Sequence, residues 1–348
     1  MFKRLRNIKR KLVDERKPLA QTPADVIHRE NKWSLLHYRS EDTTGLPVLL
    51  IPSLINRHYV LDLMPGKSFV EYLLAQGHDV YIVDWGTPGK EDRFLELDTF
   101  LDTYVGRAIR KTARFAGVEK VHVLGYCLGG TMATIHAAIH PEHIASLTNL
   151  AAPVKFADEG LMSIFSREVP LDLNAVVEAF GNIPWPLMQF GFHLLRPTMT
   201  LSKLVYMLDQ AWDDEFLDGF FAIETWGNDN VSFPGTAFIR YIEELYREDR
   251  LLKGTFNVSG KPVDLSNISC PLLTIAFNHD NIVPVDSAAI LDDVVGSTDK
   301  TLLKLNGGHV GAVVSRKASK GLWPTISNWW REHDAEDLPQ HGFKQVAT

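Results

Sequence analysis

Short apolar runs alternate with longer segments of helical periodicity over most of the 348 residues. Seven runs read as strands: KWSLLHY from 32, GLPVLLIPSLIN from 45, HDVYIVDWG from 78, KVHVLGY from 120, IASLTNLAAP from 144, CPLLTIAFNHD from 270 and KTLLKLNGGH from 300. Between them SFVEYLLAQG, LDTYVGRAIRKTARFAG, LGGTMATIHAAIH and DSAAILDDVV carry apolar residues three and four apart, the spacing of one helix face. A closing helix, LWPTISNWWREH, puts Leu322, Ile326, Trp329 and Trp330 on one side. Nearly continuous apolar strands separated by helices are strands covered on both faces. The pattern therefore predicts an α/β fold with a mostly parallel central sheet and helices on both sides.

From about 155 to 258 the rhythm breaks. This stretch is rich in Trp, Phe, Met and Pro, reads as helices (VVEAFG, SKLVYMLDQAW, GTAFIRYIEELYRED) and offers no clear strand. It is expected to be a largely helical cap inserted over the end of the sheet, with Tyr206, Trp226 and Phe233 among its residues. At the other end, residues 1–17 hold eight basic and two acidic side chains, with Phe2, Leu5, Ile8 and Leu12 at helical spacing, before Pro18 and Pro23 break the pattern. An amphipathic helix and a solvated arm are both open readings. The expected organisation is a basic arm over 1–20 and one catalytic domain over 21–348, with the cap inside it.

Charge and cysteine content narrow the setting. The 36 basic and 43 acidic residues leave a net charge of -7, which argues against nucleic acid as the main partner. Two cysteines, Cys127 and Cys270, make no disulfide scaffold and fit a reducing, cytoplasmic setting. The first residues hold no long apolar stretch, so neither a signal peptide nor a membrane span is expected.

The sharpest chemical signal is Gly125-Tyr126-Cys127-Leu128-Gly129-Gly130, directly after an apolar strand and directly before an apolar helix. A strand-to-helix turn of this composition is a nucleophile elbow, the mark of the α/β-hydrolase fold, with Cys in place of Ser. The turn is sharp and strained, so neighbours two positions from the nucleophile must be small, as Gly125 and Gly129 are. Cys127 then sits beside a helix N-terminus, whose free N–H groups favour a thiolate. The Leu128 N–H faces a developing oxyanion, and the loop after the second run supplies another donor, assigned to the Ile55 backbone. Cys270, before a proline at a strand start, reads as structural.

In this fold the acid and then the histidine follow the nucleophile. Asp280 ends the strand LLTIAFNHD, and His309 lies on a glycine-softened loop after LLKLNGGH. Among thirteen histidines, His279 is the main rival, while His122, His136 and His140 fall inside a strand or helix. Asp84, Asp264 and Asp286 compete with Asp280 less well, Asp84 because it precedes the elbow. No cluster has metal-ligand spacing, so no metal and no cofactor are expected. A Cys-His-Asp set serves acyl transfer: His309 takes the thiol proton, Asp280 orients the ring and Cys127 attacks a carbonyl. Cysteine suits exchange with a thioester, which tilts the reading from hydrolysis toward transfer.

These residues sit within longer blocks that resemble the poly(3-hydroxyalkanoate) synthases, catalytic subunits of the short, two-subunit kind. GYCLGG resembles the family's modified lipase box. INRHYVLDLMPGKSFVEYLLAQGHDVYIVDWG resembles the block before it, with its Asn-Arg and Asp-Trp-Gly elements. WGNDNVSFPGTAF resembles the cap block, and GKPVDLSNISCPLLTIAFNHDNIVP and GGHVG resemble the blocks of the acid and the histidine. The resemblance implies that Cys127, Asp280 and His309 form the triad. It implies transfer of (R)-3-hydroxyacyl groups from coenzyme A onto Cys127 and growth of a polyester with release of CoA. It also implies a homodimer, a smaller partner subunit of the PhaE or PhaR kind, and residence on polyester granules in the cytoplasm. Asn281, after the acid, departs from the histidine often found in two-subunit relatives, and LDLMPG resembles the longer single-subunit enzymes. A cysteine-dependent thioesterase or polyester depolymerase is the alternative the same triad allows; a non-catalytic granule-binding protein is a further one.

Overall fold

In a computed structural model, which describes residues 2–40, 42–194 and 199–334, the apolar runs become one eight-stranded sheet. The strands are β1 Asp25–Glu30, β2 Trp33–Tyr38, β3 Val48–Ile51, β4 Val80–Asp84, β5 Val121–Tyr126, β6 Ile144–Leu150, the short hairpin β7 Asn257–Val258 and β8 Lys261–Pro262, then β9 Leu272–Phe277 and β10 Lys300–Leu305. The large sheet runs β1-β2-β4-β3-β5-β6-β9-β10. Within this sheet only β1–β2 and β2–β4 pair antiparallel, and every pair from β4–β3 to β9–β10 is parallel. This is the α/β-hydrolase fold, with a helical cap region.

Strand β3 shows why the runs are continuously apolar. Leu49 and Ile51 enter one core, with Val123, Met132 and Ala133, while Val48 and Leu50 enter the other, with Phe69, Leu73 and Trp330. Alternate residues of one strand serve two opposite layers, so neither parity can be polar. The closing helix Leu322–Glu332 buries Leu322, Ile326, Trp329 and Trp330, the positions its periodicity selects, together with Trp323.

Three strands lay outside the sequence pattern. β1, DVIHRE, is an edge strand paired only with β2, and Val26 is half exposed. Its six residues hold two apolar side chains, Val26 and Ile27, side by side, too few to show a strand period. The β7–β8 hairpin turns through Ser259 and Gly260, both at positive φ, and its first strand lies in the stretch expected to lack strands. Two-residue pairing is below what periodicity can register.

Between β6 and β9 the chain forms helices Leu161–Glu168, Leu173–Phe180, Trp185–Leu194, Met199–Gln210, Asp214–Gly227 and Gly235–Arg240, the last running on in wider π-helical turns to Arg247. Two of them start on aspartate caps: Asp172 Oδ1 accepts from the Ala175 N–H, and Asp213 Oδ1 from those of Glu215 and Phe216. The basic N-terminal segment is helical over Phe2–Lys9 and continues in wider turns over Arg10–Asp14. It docks on the cap through its charged side, not its apolar one. Arg10 pairs with Asp214 at 2.6 Å, and Lys11 with Asp218 at 3.2 Å. Lys11 is buried, while Phe2 and Val13 are exposed.

Candidate active site

Cys127 joins β5 to the helix Leu128–Ile139 at φ 55° and ψ -133°, a backbone region that L-residues rarely adopt. The flanking glycines make the turn possible. A Cβ on Gly129 would lie 2.0 Å from the Ile51 carbonyl oxygen, one on Gly125 2.3 Å from Gly130 Cα, and one on Gly130 2.4 Å from Ala152 Cβ. The backbone of Cys127 is pinned at both ends. Its N–H donates to Leu150 O at 3.0 Å, and its carbonyl accepts from Gly130 N at 2.8 Å.

The loops after β9 and β10 emerge side by side because strand pairing continues past the strand ends. Asn278 N donates to Leu305 O at 3.0 Å and His279 N to Gly307 O at 3.2 Å. This lacing brings Asp280 and His309 together. His309 Nδ1 lies 2.7 Å from Asp280 Oδ2, and both side chains are buried. Asp280 Oδ1 accepts from the N–H groups of Ile282 (2.8 Å) and Val283 (3.0 Å), which fixes the carboxylate. Burial alone would lower the imidazolium's pKa. The negative fields of Cys127 and Asp280, with hydrogen bonds to both, outweigh it and raise His309 to about 10. The nucleophile candidate, the ring and the acid thus form one electrostatic unit. Cys270 is a free thiol pushed up to about 11 by burial.

The rival residues have other occupations. The His279 side chain is exposed. His122 bonds Ser146 and Asp334, His136 bonds the Leu101 carbonyl, and His140 pairs with Asp102. Asp84 pairs with His58, Asp264 caps the turn at Ser266, and Asp286 is exposed. Asn281 closes a local turn onto His279 O. Of the cap residues expected from sequence, Trp226 and Phe233 are buried and Tyr206 is exposed.

Three tyrosines escaped the sequence reading. Tyr126, inside the elbow, donates to the His309 carbonyl at 3.3 Å, with the two rings 5.2 Å apart. Tyr241 and Tyr246, on the π-helical end of the cap helix, have ring centroids 5.4 Å apart; burial, then the field of Tyr246 and hydrogen bonding to it, and last the field of Cys127, push Tyr241 up. Tyr246 is raised by burial, its bond to Tyr241 opposing and the field of Cys127 adding. Tyr126 lay next to the nucleophile in the motif, but a phenol there reads as core until the His309 loop is seen to fold over it. No group of metal-ligating side chains exists among the described residues.

Residues 47–314 match the family model described as the alpha/beta hydrolase fold, and residues 6–73 the one described as "Poly-beta-hydroxybutyrate polymerase (PhaC) N-terminus". The chain is 35% identical over 317 residues to the poly(3-hydroxyalkanoate) polymerase subunit PhaC of Allochromatium vinosum, covering 89% of each chain. It is 34% identical over 318 residues to the corresponding subunit of Haloferax mediterranei, covering 90% of this chain and 65% of that one's length. Among solved structures it resembles a thermophilic esterase from Thermogutta terrifontis, at 16% identity and TM-score 0.54, covering 90% of this chain and 100% of that one.

Proposed function

Since this chain belongs to the poly(3-hydroxyalkanoate) polymerase subunit PhaC family, we propose that it is an acyltransferase that polymerises (R)-3-hydroxyacyl-CoA, 3-hydroxybutyryl-CoA in the first place, through a thioester on Cys127. The observation that carries the reading is the His309–Asp280 pair at 2.7 Å, electrostatically joined to a thiol on a strained elbow.

His309 draws the proton from Cys127. The thiolate adds to the thioester carbonyl, and the oxyanion is held by the Leu128 and Ile55 N–H groups. Collapse breaks the carbon–sulfur bond to CoA, whose thiolate takes the proton back from His309. His309 then accepts the proton of a 3-hydroxyl group, whose oxygen attacks a neighbouring acyl thioester; the new ester bond forms as the carbon–sulfur bond breaks, and the departing thiolate takes the proton from His309. Asp280 keeps the ring in the tautomer that both steps need. The helical cap, taken over residues 155–258, keeps water from the acyl-cysteine. No cofactor is called for, since the CoA thioester is itself the substrate. The family supports a homodimer, a smaller partner subunit and work at a polyester surface in the cytoplasm.

The test is incubation with 3-hydroxybutyryl-CoA, with and without a candidate partner subunit, following free CoA and insoluble polyester together. Both should rise in step and both should vanish in Cys127→Ala. CoA released with only free 3-hydroxy acid would make the protein a thioesterase and end the synthase reading.

A further inference from the structure

The loop after β3, residues 52–61, is held from two directions. On the sheet side, Trp85 Nε1 donates to Pro52 O at 3.0 Å, and His58 Nδ1 lies 3.2 Å from Asp84 Oδ1. On the cap side, the end of the helix Asp214–Gly227 and the short segment after it grip four of the loop's residues. Trp226 Nε1 donates to Arg57 O at 2.9 Å, and Asn56 Nδ2 to Asn230 Oδ1 at 2.5 Å. The Val231 N–H reaches Ile55 O at 3.4 Å. The Asp229 carboxylate takes two more donors of the loop: Arg57 Nε at 3.2 Å on Oδ1 and the Tyr59 hydroxyl at 2.9 Å on Oδ2. Asn230 also donates to Gln189 Oε1 at 2.5 Å, which ties the segment to another cap helix. The Asn-Arg, Asp-Trp-Gly and Trp-Gly-Asn-Asp-Asn elements, scattered over the sequence, meet at this one loop.

We propose that Asp229 is a positioning residue that couples the seating of the cap to the oxyanion loop, so that the Ile55 N–H is aimed at the Cys127 site only while the cap is docked. The inference rests on the assignment of Ile55 to the oxyanion hole under the proposed function. An oxyanion donor is effective only if it is aimed before charge develops, and a surface loop is not rigid by itself. One carboxylate bridging a guanidinium and a phenol, two and four residues beyond Ile55, supplies that rigidity from the cap. Cap and catalytic loop then move as one body.

The experiment compares two reactions of Cys127 in the full chain. Alkylation by iodoacetamide substitutes at a saturated carbon and forms no oxyanion. Acylation by p-nitrophenyl butyrate passes through one. In Asp229→Asn the acylation kcat should fall roughly tenfold to a hundredfold, somewhat less than for loss of an entire oxyanion donor, with KM nearly unchanged and the alkylation rate at Cys127 within about twofold. Asp229→Glu should recover part of the loss. Tyr59→Phe, which removes one hydroxyl and keeps the ring, should show the same selective loss at smaller size and serves if Asp229→Asn is poorly folded. Unchanged acylation, or equal losses in both reactions, would overturn the proposal. A wild-type protein that reacts with the ester but releases no CoA from 3-hydroxybutyryl-CoA would end the synthase reading while leaving the ester comparison to judge Asp229.

Discussion

Asp280 divides its carboxylate between two tasks: Oδ2 meets His309 Nδ1 at 2.7 Å, and Oδ1 accepts two backbone N–H groups. The second task makes the first geometrically strict, because a carboxylate clamped by its own loop cannot turn away from the ring. Asp280→Asn keeps an oxygen for the backbone donors but puts an amide where the ring needs an acceptor. CoA release from 3-hydroxybutyryl-CoA should then drop by roughly 10²- to 10⁴-fold, the range of an impaired general base. A rate within about threefold of wild type, still in the range of an intact base, would remove Asp280 from the mechanism.

The elbow makes a prediction about folding. A Cβ at Gly129 would meet two backbone oxygens, Ile51 O at 2.0 Å and Pro52 O at 2.5 Å, neither of which can rotate aside. Gly129→Ala should cost about 1–3 kcal/mol or more, as forced overpacking does, and lower the urea midpoint accordingly. Gly227→Ala, with nothing within 4 Å of the added carbon, should stay within about 0.5 kcal/mol of wild type. Equal midpoints for the two variants would mean that the elbow can open.

How much of this was legible in the sequence follows from the physics of each part. Strands β3, β5, β6 and β9 are buried on both faces, so their apolar runs had no other reading. Asp280 and His309 could be selected because parallel strands deliver their following loops to the same end of the sheet. The edge strand β1 was illegible because Val26 and Ile27, side by side, are its only apolar residues. The arm's docking was illegible for a different reason. Its apolar spacing left an amphipathic helix and a solvated arm both open, while the contact is made by Arg10, Lys11 and Lys17 on acids some two hundred residues away. The grip of Asp229 on Arg57 and Tyr59 is likewise long-range and polar, and periodicity carries no such information.

Stability should fall on the acid side because of two buried histidines. His78 bonds Ser327 Oγ at 2.7 Å and faces Arg331, His122 and Asp334; His136 bonds Leu101 O and faces His140, Asp102 and Arg110. Burial, followed by the like charge of Arg331 for His78 and of His140 for His136, lowers each to about 4. The unfolded chain takes up these protons near pH 6.5, so between 6.5 and 4 it binds more protons than the fold does, and stability declines as pH drops. His309, raised to about 10, has the opposite sign: its contribution is complete below about 6.5 and is lost as pH rises toward 10. Melting temperatures of wild type and His78→Gln, measured from pH 7 to 4.5, should converge toward acid. Parallel curves would exclude His78 from the acid transition.

The arm's docking gives the last prediction. Asp218 is buried and receives Lys11 Nζ at 3.2 Å and Lys17 Nζ at 3.1 Å; Lys11 is buried too, whereas Lys17 is half exposed. Removing one side of a buried pair leaves the other charge without its partner, and that is the costly outcome. In Asp218→Asn, Lys11 keeps only Glu15 at 3.4 Å and Asp214 at 3.9 Å, both half exposed. Losing about 1–2 kcal/mol of docking energy raises the population of the released arm by a factor of roughly 5–30. The arm is dense in trypsin sites, from Lys9 to Arg16, so limited trypsinolysis reads that population directly. Cleavage in this segment should accelerate by the same factor in Asp218→Asn. It should also accelerate with added salt in wild type, though less, because Lys11 and Asp218 are shielded from counterions. Cleavage at the wild-type rate in Asp218→Asn would show that contacts such as Arg10–Asp214 and Asn7–Ala211 O hold the arm without the buried pair.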